Sequence, residues 1–164
     1  MARLEPKETV LPSVLDRLID DEPDEARERP RSSPQKLRDL RDGVLRDVTN
    51  LLNTRRRVPV PPEGLTELAP SVVDYGLLDF VGADLGAAPQ REDFRRSVEE
   101  AIRRYEPRFK SVRVHLLVNA ETRDRTLRFR IDALLHADPV PEPMVFDSVA
   151  DPATGGFDVG EAAA

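Results

Sequence analysis

Along the first two thirds of the chain, apolar residues recur at three- and four-residue steps; beyond residue 108 they recur at every second position. The chain therefore reads as helices followed by strands. Leu37, Leu40, Val44, Leu45, Val48, Leu51 and Leu52 mark one face of a long helix. Ser33 is its expected N-cap, Pro34 its first helical residue, and Asn53 its approximate end. Phe94, Val98, Ala101, Ile102 and Tyr105 mark a second helix over 90–105, and Pro107 stops it. A short helix over 11–20 gathers Val14, Leu15, Leu18 and Ile19 into one stripe, with Ser13 and Asp16 spaced as a capping box. It is too short to be stable alone, so its stripe needs a surface to dock on. Another short helix is expected over 70–75, with Gly76 as its left-handed terminator.

In 108–119, Val112, Val114, Leu116 and Val118 alternate with polar residues; in 126–136, Leu127, Phe129, Ile131, Ala133 and Leu135 do the same. The polar connection between them predicts an antiparallel hairpin. Setting both apolar sets on one face pairs Val118 with Leu127, Leu116 with Phe129 and Arg113 with Asp132. Residues 144–149 are expected to add a third strand at an edge. The predicted fold is α+β, with N-terminal helices packed on one face of a small antiparallel sheet that carries a C-terminal hairpin. Three regions are expected: 1–32, a short helix and an acidic mobile linker; 33–149, the folded domain; and 150–164, a disordered acidic tail.

Composition narrows the function. A length of 164 residues suits one domain. The absence of cysteine excludes disulfides, thiol nucleophiles and Cys-ligated zinc, and two histidines, His115 and His136, are too few for a three-His zinc site. No metal and no cofactor are expected. The net charge is −6, with both ends acidic and the middle positive, which argues against a dedicated nucleic-acid binder. No apolar run is long enough to insert in a membrane, and the N-terminus lacks a continuous apolar stretch, so a cytoplasmic location is expected.

Among candidate sites, Arg55, Arg56 and Arg57 begin a proline-rich loop where they can meet phosphate or a protein surface. Glu99, Glu100 and Glu106 are the candidates for a glycoside-hydrolase carboxylate pair, but the first two lie on or beside a solvated helix face. With no Trp for a sugar cleft, no catalytic residue is assigned. Glu106-Pro107-Arg108 lies where helix gives way to strand. Pro107 fixes the exit, and Glu106 and Arg108, two apart, project to one side. Such a pair can dock a partner through charge-assisted hydrogen bonds or close the corner internally.

RRYEPRFKSVRV, together with SVLDRL, LRDGVLRDVTNLLNTRR, VVDYGLLDF, LRFRIDALL and PMVFDS in that order, resembles the TssE family over about 11–149. TssE is a baseplate subunit of type VI secretion, similar to a wedge protein of contractile phage baseplates. The resemblance implies an α+β fold related to the strand-exchanging domain of sheath subunits. It also implies a non-enzymatic wedge component that partners TssF, TssG and TssK, sits in a membrane-docked baseplate and starts the TssB/TssC sheath. Carried over by position, Glu106, Pro107 and Arg108 contact the wedge core. Two alternatives stand beside this: the equivalent subunit of a phage-tail-like injection particle, and a peptidoglycan hydrolase using Glu106, in line with the family's lysozyme-like label.

Overall fold

The long helix forms where the three- and four-residue steps place it. In a computed structural model, which describes residues 13–19, 23–24, 32–56, 64, 67, 71–83, 85–119, 124–137 and 140–162, the helices are α1 (Val14–Leu18), α2 (Ser33–Asn53) and α3 (Ala88–Tyr105). The N-cap of α2 is Ser32, one residue earlier than expected, because its N–H donates to Gln35 Oε1 at 2.8 Å. The capping box of α1 is present: Asp16 N–H donates to Ser13 Oγ at 3.1 Å, and Ser13 N–H to Asp16 Oδ2 at 2.9 Å. The short helix expected over 70–75 is one 3₁₀ turn, Val72–Asp74. Gly76 follows at φ 102°, and a Cβ there would lie 2.3 Å from the Thr54 carbonyl oxygen, so both the turn and the close approach require glycine. Most of the expected linker, the loop from Arg57 to Glu63 and the last two residues lie outside the described residues.

The strands are β1 (Phe109–Leu117), β2 (Leu127–Leu135), β3 (Glu142–Ala150) and β4 (Phe157–Glu161), antiparallel in the order β1-β2-β3-β4. The hairpin register is the expected one, with Leu116 opposite Phe129 and Arg113 opposite Asp132. A bulge between Phe109 and Ser111 shifts the first pair. Val118 falls beyond the strand end and is 95% exposed, so its expected pairing with Leu127 is not made.

Two expectations are overturned. The third strand is internal, with β2 on one side and β4 on the other. The segment 150–164, expected to be disordered, supplies the end of β3 and all of β4. Phe157 is the reason: buried to 6% exposure, its ring meets Phe80, Phe94 and Phe129 at centroid distances of 5.5–6.2 Å. This aromatic cluster joins α3, the loop before it and the sheet. With Val44, Val48, Leu51, Val98, Ile102, Ile131, Leu135 and Phe146 it forms a single core between the helices and one face of the sheet. The fold is α+β, as the periodicities imply.

The helices also bind groups on both sheet edges. Arg95 Nη1 donates to the Val114 carbonyl at 3.0 Å, Val114 N–H donates to Glu99 Oε2 at 3.0 Å, and Arg103 Nη2 donates to the Val112 carbonyl at 2.8 Å. Thus α3 binds three main-chain groups of β1, at Val112 and Val114. At the opposite edge, Asn53 at the end of α2 donates from Nδ2 to the Phe157 carbonyl at 2.9 Å and accepts the Phe157 N–H on Oδ1 at 2.9 Å.

Candidate functional site

Pro107 ends α3 and sets the chain off into β1, so the two charged neighbours of Pro107 meet across it. Arg108 Nε donates to Glu106 Oε1 at 2.6 Å, and Nη2 donates to Glu106 Oε2 at 2.5 Å. The Arg108 N–H adds a bond to Glu106 Oε1 at 3.2 Å. The guanidinium reaches further: Nη2 meets Asp47 Oδ2 of α2 at 2.5 Å, and Nη1 faces Asp16 Oδ2 of α1 at 3.4 Å. Arg46 also binds Asp16. Two segments distant in sequence, α1 and α2, therefore converge on Arg108 beside Glu106.

Burial gives the network its weight. The Glu106 side chain is 5% exposed and that of Arg108 18%. A buried ion pair that loses one partner leaves the other uncompensated, at a cost of about 3–5 kcal/mol. Burial acts to lower the Arg108 pKa, but hydrogen bonds and charge from Glu106 and Asp47 outweigh it and raise it, so the guanidinium is held charged. For Asp16, burial acts to raise the pKa; the hydrogen bonds from Ser13 and Arg46 outweigh it and leave the carboxyl below the ordinary aspartate range.

Beside the network lies a cleft of about 400 Å³, lined among others by Leu15, Tyr75, Tyr105, Pro107 and Arg108. The Tyr75 and Tyr105 rings meet edge to face at 5.1 Å. Burial raises the Tyr75 pKa, and the charges of Asp47 and Glu106 raise it further, so the phenol stays protonated. The cleft thus pairs an aromatic wall with a charged rim, the combination that anchors protein interfaces.

Arg55 and Arg56 stand apart from Arg108. Arg55 binds Asp79, donates from Nη2 to the Thr154 carbonyl at 3.1 Å, and bridges to Leu77 through the backbone. Arg56 Nη1 binds Asp74 Oδ1 at 2.7 Å, and Asp74, 4% exposed, also receives Arg104 Nη1 at 2.5 Å. Both arginines fasten the loop after α2 to the segment 74–79. Arg57 lies outside the described residues.

Of the carboxylates weighed for hydrolysis, Glu99 and Glu106 are committed elsewhere and Glu100 is exposed on α3. Burial acts to raise the Glu99 pKa, but the Val114 N–H, Arg103 and Arg95 outweigh it and lower it, the opposite of what a general acid needs. Glu106 is locked to Arg108. His115 Nε2 lies 3.2 Å from Asp132 Oδ2 on the sheet face away from the helices, and both side chains are half-exposed.

Reading the sequence alone missed Asp16, Arg46 and Asp47 as members of the site. Asp16 reads as a cap, and the other two as part of a solvated helix face. One signal was present: Gly43, inside α2, where glycine costs about 1 kcal/mol relative to alanine. A Cβ at Gly43 would sit 3.0 Å from Asp16 Oδ1 and 3.1 Å from Oδ2. The glycine makes room for the carboxylate of another segment.

A family model described as baseplate wedge protein gp25 matches residues 38–140. That span holds Arg46, Asp47, Glu106, Pro107 and Arg108 and leaves out α1, β3 and β4. No curated protein matches the chain.

Proposed function

The chain belongs to the baseplate wedge protein gp25 family, and from this we propose that it is the type VI secretion subunit that joins the baseplate wedge to the contractile sheath and starts sheath assembly. Its role is non-enzymatic. It acts in the cytoplasm, on a baseplate docked at the membrane. The wedge contact is made at the Glu106-Pro107-Arg108 corner, toward TssF and TssG, with TssK in the same assembly. Arg55 and Arg56, paired with Asp79 and Asp74, offer a second partner contact apart from that corner.

The sheath contact rests on the unpaired part of β4. Phe157 turns its N–H and C=O away from β3, where Asn53 takes both. Alternation along the strand points the main-chain groups of Val159 and Glu161 the same way. Among the described residues these groups have no hydrogen-bond partner. An edge of this kind accepts a strand from another protein through backbone hydrogen bonds. On β1, by contrast, α3 side chains occupy Val112 and Val114. Strand addition is therefore directed to β4.

Val159→Pro tests this. The Val159 N–H is not used by β3, and proline is tolerated on an edge strand whose N–H faces outward. The variant should keep its melting temperature within a few degrees and fail to nucleate purified TssB/TssC sheath. Normal nucleation would remove β4 from the sheath contact. Nucleation of tail-tube sheath protein and not of TssB/TssC would move the protein to a phage-tail-like particle.

A further inference from the structure

The short helix α1 is held by its polar side. Val14, Leu15, Leu18 and Ile19 remain 74%, 57%, 75% and 41% exposed, so the apolar stripe that was expected to dock it faces outward. A helix of this length is not stable alone. What fastens it is Asp16, 10% exposed at its side chain, seated over Gly43 and bound by Arg46 and Arg108. Arg108 gives Nε and Nη2 to Glu106 and Asp47, and Nη1 is the arm left for Asp16. One charged side chain thus ties down a segment that contributes little buried apolar surface. The same helix places Leu15 on the wall of the cleft beside Pro107, so α1 covers the corner assigned above to the wedge contact.

We propose that Arg46, Arg108 and the space over Gly43 form a carboxylate seat, that Asp16 fills it in the free chain, and that an acidic side chain of a wedge partner takes the seat on assembly and frees α1. Asp16 is then a stand-in that keeps the corner closed until a partner arrives. The replacement exchanges one carboxylate for another on the same two guanidiniums, so the buried Glu106–Arg108 pair stays intact throughout. The proposal rests on the corner being the wedge contact. Its chemistry is that of an acidic peptide presented to paired arginines, with bidentate and charge-assisted hydrogen bonds.

The seat is tested first on the full chain alone. A fluorescent peptide of residues 11–20, LPSVLDRLID, is titrated against wild type and against Asp16→Ala. In wild type, the tethered Asp16 competes at an effective concentration of about a millimolar. The peptide should bind Asp16→Ala at least tenfold more tightly than wild type, and the same peptide with Asp16→Ala should not bind. Equal binding to the two chains, or none to the variant at millimolar peptide, would overturn the seat. Gly43→Ala is the second variant. It keeps α2 helical and should lower the peptide's affinity for the Asp16→Ala chain without lowering the melting temperature; unchanged affinity would remove Gly43 from the seat. The wedge half is tested with the TssF–TssG pair, which should bind Asp16→Ala at least threefold more tightly than wild type. Equal binding would overturn displacement. Binding to neither chain would strike the wedge contact itself, while the peptide titration would still report on the seat.

Discussion

Arg108 illustrates how one side chain can hold a structural and a recognition role together. Its bonds to Glu106 and Asp47 tie the start of β1 to the end of α3 and to α2. Arg108→Ala leaves the Glu106 carboxylate buried without its partner, and the expected loss is about 3–5 kcal/mol, read as the shift in a urea midpoint. Loss under about 1 kcal/mol would show that water reaches Glu106 easily. Lysine at 108 should recover part of the charge term and not the fork that spans two carboxylates. Asp16 gives a pH signature. It faces Ser13, Arg46 and Arg108, with Asp47 and Glu106 behind the two arginines. Because its folded-state pKa is lowered, its contribution is complete above the ordinary aspartate value of about 3.9 and is lost as pH falls through the lower folded value. Amides of 14–19 should therefore hold their exchange protection at neutral pH and lose it only in acid below that value. Loss of protection already near about pH 6 would place the control in another group.

The hairpin and the strand that follows it differ in what holds them. Arg113 and Asp132 lie opposite on the face away from the core, and the Asp132 carboxylate turns to His115 rather than across to Arg113. Arg113→Ala and Asp132→Ala should each change stability by about 1 kcal/mol or less. Phe129, fully buried within the aromatic cluster, should cost about 3–5 kcal/mol on truncation to alanine. Phe157→Ala should fall in the same range, though it comes from a five-residue strand near the end of the chain. Thermal or urea unfolding of these four variants is the check. A Phe157→Ala variant as mild as Arg113→Ala would detach β4 from the core.

The described residues share one core, with α1 outside it and Phe157 of β4 inside it. A chain ending at Ala150 lacks Phe157, leaves β3 as an edge and removes the Phe157 N–H and C=O that the Asn53 amide binds. It should melt well below the full chain and lose exchange protection in β3. An unchanged melting temperature would mean that the core closes without β4. At the other end, no residue of α1 belongs to the buried apolar set, so Asp16→Ala, which unfastens α1, should lower the melting temperature far less.

Period and register were readable from the residues because each rests on local rules. Apolar side chains at three- and four-residue steps can share a face only in a helix, and alternation can do so only in a strand. The hairpin register then follows from the need to keep Leu116 and Phe129 on one face. The Glu-Pro-Arg corner was readable for the same reason, since its members are two residues apart across a proline. The place of β4 was not. A short acidic strand after two glycines has too few apolar positions to announce itself, and the small Phe157 and Val159 alternation gains meaning only beside Phe80, Phe94 and Phe129. Nor was the outward stripe of α1, because amphipathicity says that a helix has an apolar face and does not say what that face meets. The choice was made by Gly43, Arg46 and Arg108, which lie 27 to 92 residues from Asp16 and meet it only once α2 and α3 have packed. Local periodicity sets elements because it acts over a few residues; partnership between distant charges exists only after the core has brought their backbones together.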